Sequence, residues 1–293
     1  MKKSILNSGP ALAAAVLILA AGTVLATPAA PKAPAAAATV LEYKMPAGRS
    51  LTYQSKSEES QIMEVMGQSM DTSTTSTSTF AFQSKGLKDK NLLLGVTISD
   101  IAVSVTGPQG DMSPDMASVK GKSFDMVLSP LGSEVDVTGA EAISYAIAGE
   151  SRNLSSGFKS FFPDLPGKPV KIGDTWPSTT AIEEKTGQMI IKIDLQYVHT
   201  LEGFETVDGV ECARVAAQVT GTISGSGNQG GMDLTFAGTS KGKDIWFFAV
   251  KEGYFVKATS EATTEMSIDV AAAGMTIPVN QTSKSEVKLT GKQ

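Results

Sequence analysis

From Tyr254 to Val270 the sequence alternates without a break. Tyr254, Val256, Ala258, Ser260, Ala262, Thr264, Met266, Ile268 and Val270 fall on one face, and Lys257, Thr259, Glu261, Thr263, Glu265 and Asp269 on the other. A period of two is the signature of a strand with one buried face. At about 3.3 Å per residue this strand runs roughly 55 Å, several times the usual length. Its apolar face is bulky at the ends and small in the middle, which leaves room for a packed helix or for a cavity.

The rest of the chain supplies strands to match. Leu51 and Tyr53 open an alternating stretch that turns near Gly67 and returns through Phe80 and Phe82. The Ser/Thr-rich run Asp71–Thr79 between them reads as a strand wet on both faces. Leu92, Leu94, Val96 and Ile98 share one face but Ile101, Val103 and Val105 the other, so a bulge is expected at Ser99-Asp100. Phe124–Leu128, a turn at Ser129–Gly132 and Val135–Val137 form a hairpin. In the second half, Ile191, Ile193, Leu195, Tyr197, His199 and Leu201 alternate cleanly, and Val215–Ile223 follows after a turn at Asp208-Gly209. Ser224–Gly231 reads as a hairpin end. Trp246-Phe247-Phe248 precedes a tight turn at Lys251–Gly253, and a last strand starts at Met275.

Between the halves lies a segment of another kind. Thr138-Gly139-Ala140-Glu141 has the form of a capping box, and Ile143, Ile147, Leu154, Phe158, Phe161 and Leu165 are spaced to share a helical face. This predicts a helix over 138–165, weakened near Gly149–Asn153 and stopped by Pro163, Pro166 and Pro169. The predicted fold is mainly β: a strongly curved antiparallel sheet or half-barrel of long strands, with one central helix docked on the concave face.

Lys2 and Lys3 followed by the small, aliphatic run Ala11–Ala26 read as a signal peptide over 1–26, cut before Thr27. An uncleaved anchor is the rival reading, at the lower length limit for a span. Thr27–Thr39 is an Ala/Pro tether, and 40–293 reads as a single β-rich domain with halves 40–137 and 166–293 flanking the helix. The expected location is therefore periplasmic or extracellular, with no membrane span once the signal is removed. The chain carries 25 Lys and Arg against 30 Asp and Glu, and loss of Lys2 and Lys3 makes it more acidic. Its arginines are Arg49, Arg152 and Arg214. Nucleic acid and anionic lipid surfaces are poor partners for such a chain. Cys212 is the one cysteine, so no intramolecular disulfide staples the fold.

A weak internal repeat accompanies this layout. Gly121-Lys122 and Gly132 match Gly242-Lys243 and Gly253, while Gly48 and Leu51 pair with Gly173 and Trp176. A duplicated β unit with the helix between its copies fits the pattern. The Gly-x-x-x-x-Tyr opening at Gly48–Tyr53, the Pro-rich joint before Gly173-Asp174-Thr175-Trp176, and a Gly-Lys hairpin after each half resemble an uncharacterised family of exported bacterial proteins. That family brings no activity with it. Long curved strands around a helix are also similar to the half-barrel of bacterial lipoprotein carriers, a likeness of architecture alone.

The sequence offers little chemistry. Its only imidazole, His199, falls on the apolar face of a strand, where a core histidine with one hydrogen-bond partner is expected. Cys212 reads as a packing residue out of phase with Val215, and one His with one Cys does not make a zinc site. The acids of 107–118 lack the pattern of a calcium loop. No nucleophile elbow, phosphate loop or dinucleotide fingerprint occurs, so no cofactor is implied. Phe158, Phe161, Phe162, Trp246, Phe247 and Phe248, with Ala258, Ala262 and Met266, are the candidate lining of a hydrophobic cavity or, as the preferred reading, ordinary core. Three functions follow from these readings. The first is a non-catalytic envelope protein that serves as scaffold or binds a partner protein. The second is a carrier of a lipid or other apolar molecule. The third is an enzyme, which would need His199 beside a carboxylate in a cleft.

Overall fold

The computed structural model describes residues 38–293 apart from 109, 148–149 and 230. The signal peptide and tether expected from the sequence lie, but for the last two tether residues, outside these residues. Thr39, placed in the tether by sequence, already belongs to the fold: it bridges Val170 through two backbone hydrogen bonds of 2.8 and 2.9 Å.

The chain forms β1 (Ser50–Val65), β2 (Gln68–Lys88), β3 (Asn91–Gly107), β4 (Gly110–Met112), β5 (Ser123–Leu128) and β6 (Glu134–Asp136). A short hairpin of β7 (Ser144–Ile147) and β8 (Glu150–Asn153) and a single helical turn, α1 (Ser155–Phe158), come next. Then follow β9 (Thr175–Thr186), β10 (Met189–Val207), β11 (Val210–Gln229), β12 (Met232–Ala249), β13 (Tyr254–Val270) and β14 (Met275–Lys292). All but β7 and β8 belong to one antiparallel sheet in the order β6-β5-β3-β2-β1-β14-β13-β12-β11-β10-β9, with β4 beside β3. Two meanders are thus joined where β1 pairs with β14.

Turn chemistry sets the registers. Met66-Gly67, Asp89-Lys90 and Asp208-Gly209 all have positive φ at both central positions, the two-residue form whose twist suits a hairpin. The expected phase switch in β3 is a bulge: Ile98 pairs with Phe80 and Asp100 with Thr79, leaving Ser99 unpaired. β11 does not fray into a hairpin end at Ser224 but stays paired as far as Gln229 opposite Met232. The repeat is mixed in outcome. Gly48 and Gly173 both take positive φ just before β1 and β9, as do Gly132 and Gly253 in their turns. Gly121 lies in a turn, however, whereas Gly242 sits inside β12, so the Gly-Lys pairs are not equivalent and only the first adjoins a turn.

The sheet is open but curled. Glu134 on β6 and Tyr197 on β10 line one cleft, although nine strand spacings, about 43 Å in a flat sheet, separate their strands. Glycines on the inner face permit the bend. A Cβ at Gly225 would lie 2.5 Å from the Ile190 carbonyl oxygen, and one at Gly238 would lie 2.7 Å from that of Glu265.

The central helix is the main correction. Residues 138–165 break into a 3-10 turn at Thr138–Ala142, the β7–β8 hairpin and α1, then run irregularly to β9. Thr138 does not cap a helix; its hydroxyl donates to Asp136 Oδ1 at 2.7 Å. Gly149, Gly157 and three prolines leave no uninterrupted stretch long enough to propagate a helix. The apolar residues still reach their destination. Ile143, Phe158, Phe162 and Leu165 are buried, forming a plug on the inner face.

Candidate functional site

The plug fills one end of the curl. Phe158, Phe161 and Phe162 interleave with Tyr53, Phe80, Phe82 and Phe255 at ring separations of 5.0 to 6.4 Å. Tyr53 donates its hydroxyl to the Phe255 carbonyl at 2.8 Å, and Tyr43 donates to that of Pro163 at 3.0 Å. Here the aromatic residues form packed core.

A cleft of about 250 Å³ opens where this core meets the middle of the sheet. Phe161 and Phe162 contribute to it from the plug, Trp246 from β12 and Ala258 from β13. The other predicted residues lie elsewhere. Phe158 is core; Phe248 is fully buried against Tyr43; Phe247 shares the opposite face with its ladder partners Arg214 and Lys257. Ala262 is further along β13, and Met266 packs beside Leu234, Phe236 and Val270 in a second, smaller apolar cluster.

Polar groups that sequence reasoning passed over complete the walls: Glu134, Asp164, Tyr197, Asp244, Ser260 and Ser285. Asp244 was the findable one, because it is in phase with Trp246 and Phe248 on the buried side of β12. Asp164 and Glu134 come together only through the plug. Burial pushes the Glu134 carboxyl up to about 8, against the opposing pull of the Phe162 N–H that its Oε1 accepts at 2.9 Å. Burial also raises Asp164, opposed by the Ser178 and Ser133 hydroxyls, and Asp244, whose Oδ1 accepts from Ser260. Tyr197 is raised by burial and by the three nearby acids.

His199 also lines the cleft. It is 3 % exposed, stacked between Trp176 and Tyr197, and burial holds it down at about 4, so it is neutral at physiological pH. Its Nε2 shares a hydrogen bond of 2.8 Å with Ser178 Oγ, and its Nδ1 has no partner among the described residues. A Ser–His pair at this distance meets one requirement of nucleophilic catalysis, but the orienting carboxylate on Nδ1 is missing. Asp164 stands beside the serine instead. Cys212 is buried as expected, its thiol pushed up to about 11, which makes it a poor nucleophile.

No helix among the described residues is long and apolar enough to cross a membrane. No protein-family model matches the chain, and no curated sequence does. Similar solved structures include a Bacteroides fragilis protein described as exported, with a YmcC-like fold (9 % identity over 87 % of this chain and 99 % of that one, TM-score 0.30). The Pseudomonas aeruginosa protein OccK2 in complex with glucuronate (7 %, 83 % and 98 %, TM-score 0.27) and a DUF1329 family protein from Desulfovibrio piger (10 %, 82 % and 85 %, TM-score 0.14) are others. Likeness of this degree fixes no function.

Proposed function

We propose that this chain is a non-catalytic, exported binding protein of the cell envelope, with the inner-face cleft as its receptor site for a small molecule. The observation that carries this reading is the cleft itself, in which Trp246, Phe161, Ala258 and Val287 meet Asp244, Glu134 and Ser285. Apolar walls with a few converging polar groups are the general form of a ligand site. A lipid carrier fits less well, because the aromatic plug occupies the space an acyl chain would need.

Native mass spectrometry of the mature protein, purified from its host without detergent, tests the reading. A small-molecule adduct is expected, and Ala258→Trp, which fills the cleft from the floor, should abolish it while leaving the thermal midpoint within a few degrees. A clean apo mass, with no small molecule taken up from a host extract, would leave the scaffold role instead. The enzyme alternative rests on the Ser178–His199 pair. Activated esters should be turned over no faster by the wild type than by Ser178→Ala.

A further inference from the structure

The cleft is short of positive charge. Glu134, Asp164 and Asp244 reach it from β6, the joint before β9, and β12, and no Lys or Arg is among its lining residues. None of the three acids forms an ion pair among the described residues, although ten such pairs decorate the surface. All three are half-buried, and charges drawn out of water are ordinarily paired. We propose that the cleft binds a small organic cation, a protonated amine on an apolar stem, between the Trp246, Tyr197 and Phe161 rings and the carboxyl groups of Glu134, Asp164 and Asp244. This rests on the binding-protein reading above and names its ligand class.

A second observation lies on the same wall: His199 is 3 % exposed and its Nδ1 has no partner among the described residues. In this proposal the His199 proton sits on Nε2, where it is donated to Ser178 Oγ, and this leaves Nδ1 as an acceptor. With three carboxyl groups and no Lys or Arg on its walls, the site offers acceptors to an ammonium group. Aromatic faces add cation–π attraction that is strongest when the cation is desolvated. The volume, about 250 Å³, lies just under the range for drug-sized ligands, so the occupant is small. An anion would face three acids; a bare hydrocarbon would strand them.

Proton balance makes the proposal measurable. Burial keeps Glu134 protonated at neutral pH, and the groups facing it are Asp164, Tyr43 and Tyr197, with Lys159 lining the adjoining cleft. A bound cation favours the carboxylate, so binding expels a proton to solvent and tightens as pH rises.

Calorimetry with cyclohexylamine, charged throughout pH 6 to 9, and its neutral isostere cyclohexanol would decide the matter. The amine should bind at least about tenfold more tightly. Asp244→Asn should lower amine affinity by about tenfold and leave cyclohexanol unchanged. Amine binding should strengthen from pH 6 to pH 9 in the wild type and lose most of that dependence in Glu134→Gln. Thermal midpoints of both variants confirm folding. Equal affinity for the two probes, no effect of Asp244→Asn, or no binding of either probe would each overturn cation recognition. An adduct in native mass spectrometry that Ala258→Trp removes would still uphold the binding site in all three cases.

Discussion

Tyr53 shows how much one side chain organises. Its ring stacks on Phe255 at 4.5 Å and its hydroxyl donates to the same residue's carbonyl, wholly inside the core. Tyr53→Phe removes the donor without changing shape, so a loss of about 1–2 kcal/mol is expected in urea unfolding, with an unchanged m-value. Glu134 acts through its proton. Its folded carboxyl titrates near 8, above the ordinary value of 4.5, so the folded state holds a proton that the unfolded chain releases. Stability contributed by this group is complete below about pH 4.5 and is lost as pH rises toward 8. His199 works in the opposite sense, costing stability as pH falls from 6.5 toward 4. Glu134→Gln should therefore raise the thermal midpoint at pH 8.5 and change it little at pH 4.5, as differential scanning calorimetry would show.

Among the elements, the plug and the inner glycines carry the fold. Phe162 packs against Tyr43, Phe82 and Phe255 from an irregular segment with no helix to hold it. Phe162→Ala should cost about 3–5 kcal/mol, because the cavity it leaves is bounded by rigid strands. Gly225→Ala should cost about 1–3 kcal/mol, since its Cβ would meet the Ile190 carbonyl at 2.5 Å and force β10 and β11 apart. The strands were legible because alternation records which face is buried. In β13, however, the phase read from Ala258 onward does not extend to its start, where a register shift leaves Val256 unpaired and turns Phe255 into the core. The helix over 138–165 was misread for a related reason. A plug residue needs only to reach the core, and 143, 154, 158, 162 and 165 satisfy helical spacing whether or not the backbone between them is helical.

At the scale of the molecule, the pairing of β1 with β14 joins the first and last strands of the chain in the middle of the sheet, from Leu51–Lys292 to Met63–Val279. Deleting residues 275–293 would expose the long edges of β1 and β13 at once. The truncated chain is expected to lose its cooperative thermal transition and to bind a hydrophobic dye, whereas the full chain should do neither. The sequence by itself determined the strands, most turns, the bulge in β3 and the buried side of His199, because those follow from periodicity and local backbone preference. Only the tertiary structure decided that the strands curl until β6 and β10 share a cleft, and that Glu134, Asp164 and Asp244 meet there. Curl depends on close approaches between neighbouring strands and on what plugs the concave side. Neither is written in any one stretch of sequence, since acids 80 residues apart come to one cleft only once the sheet has curled around the plug.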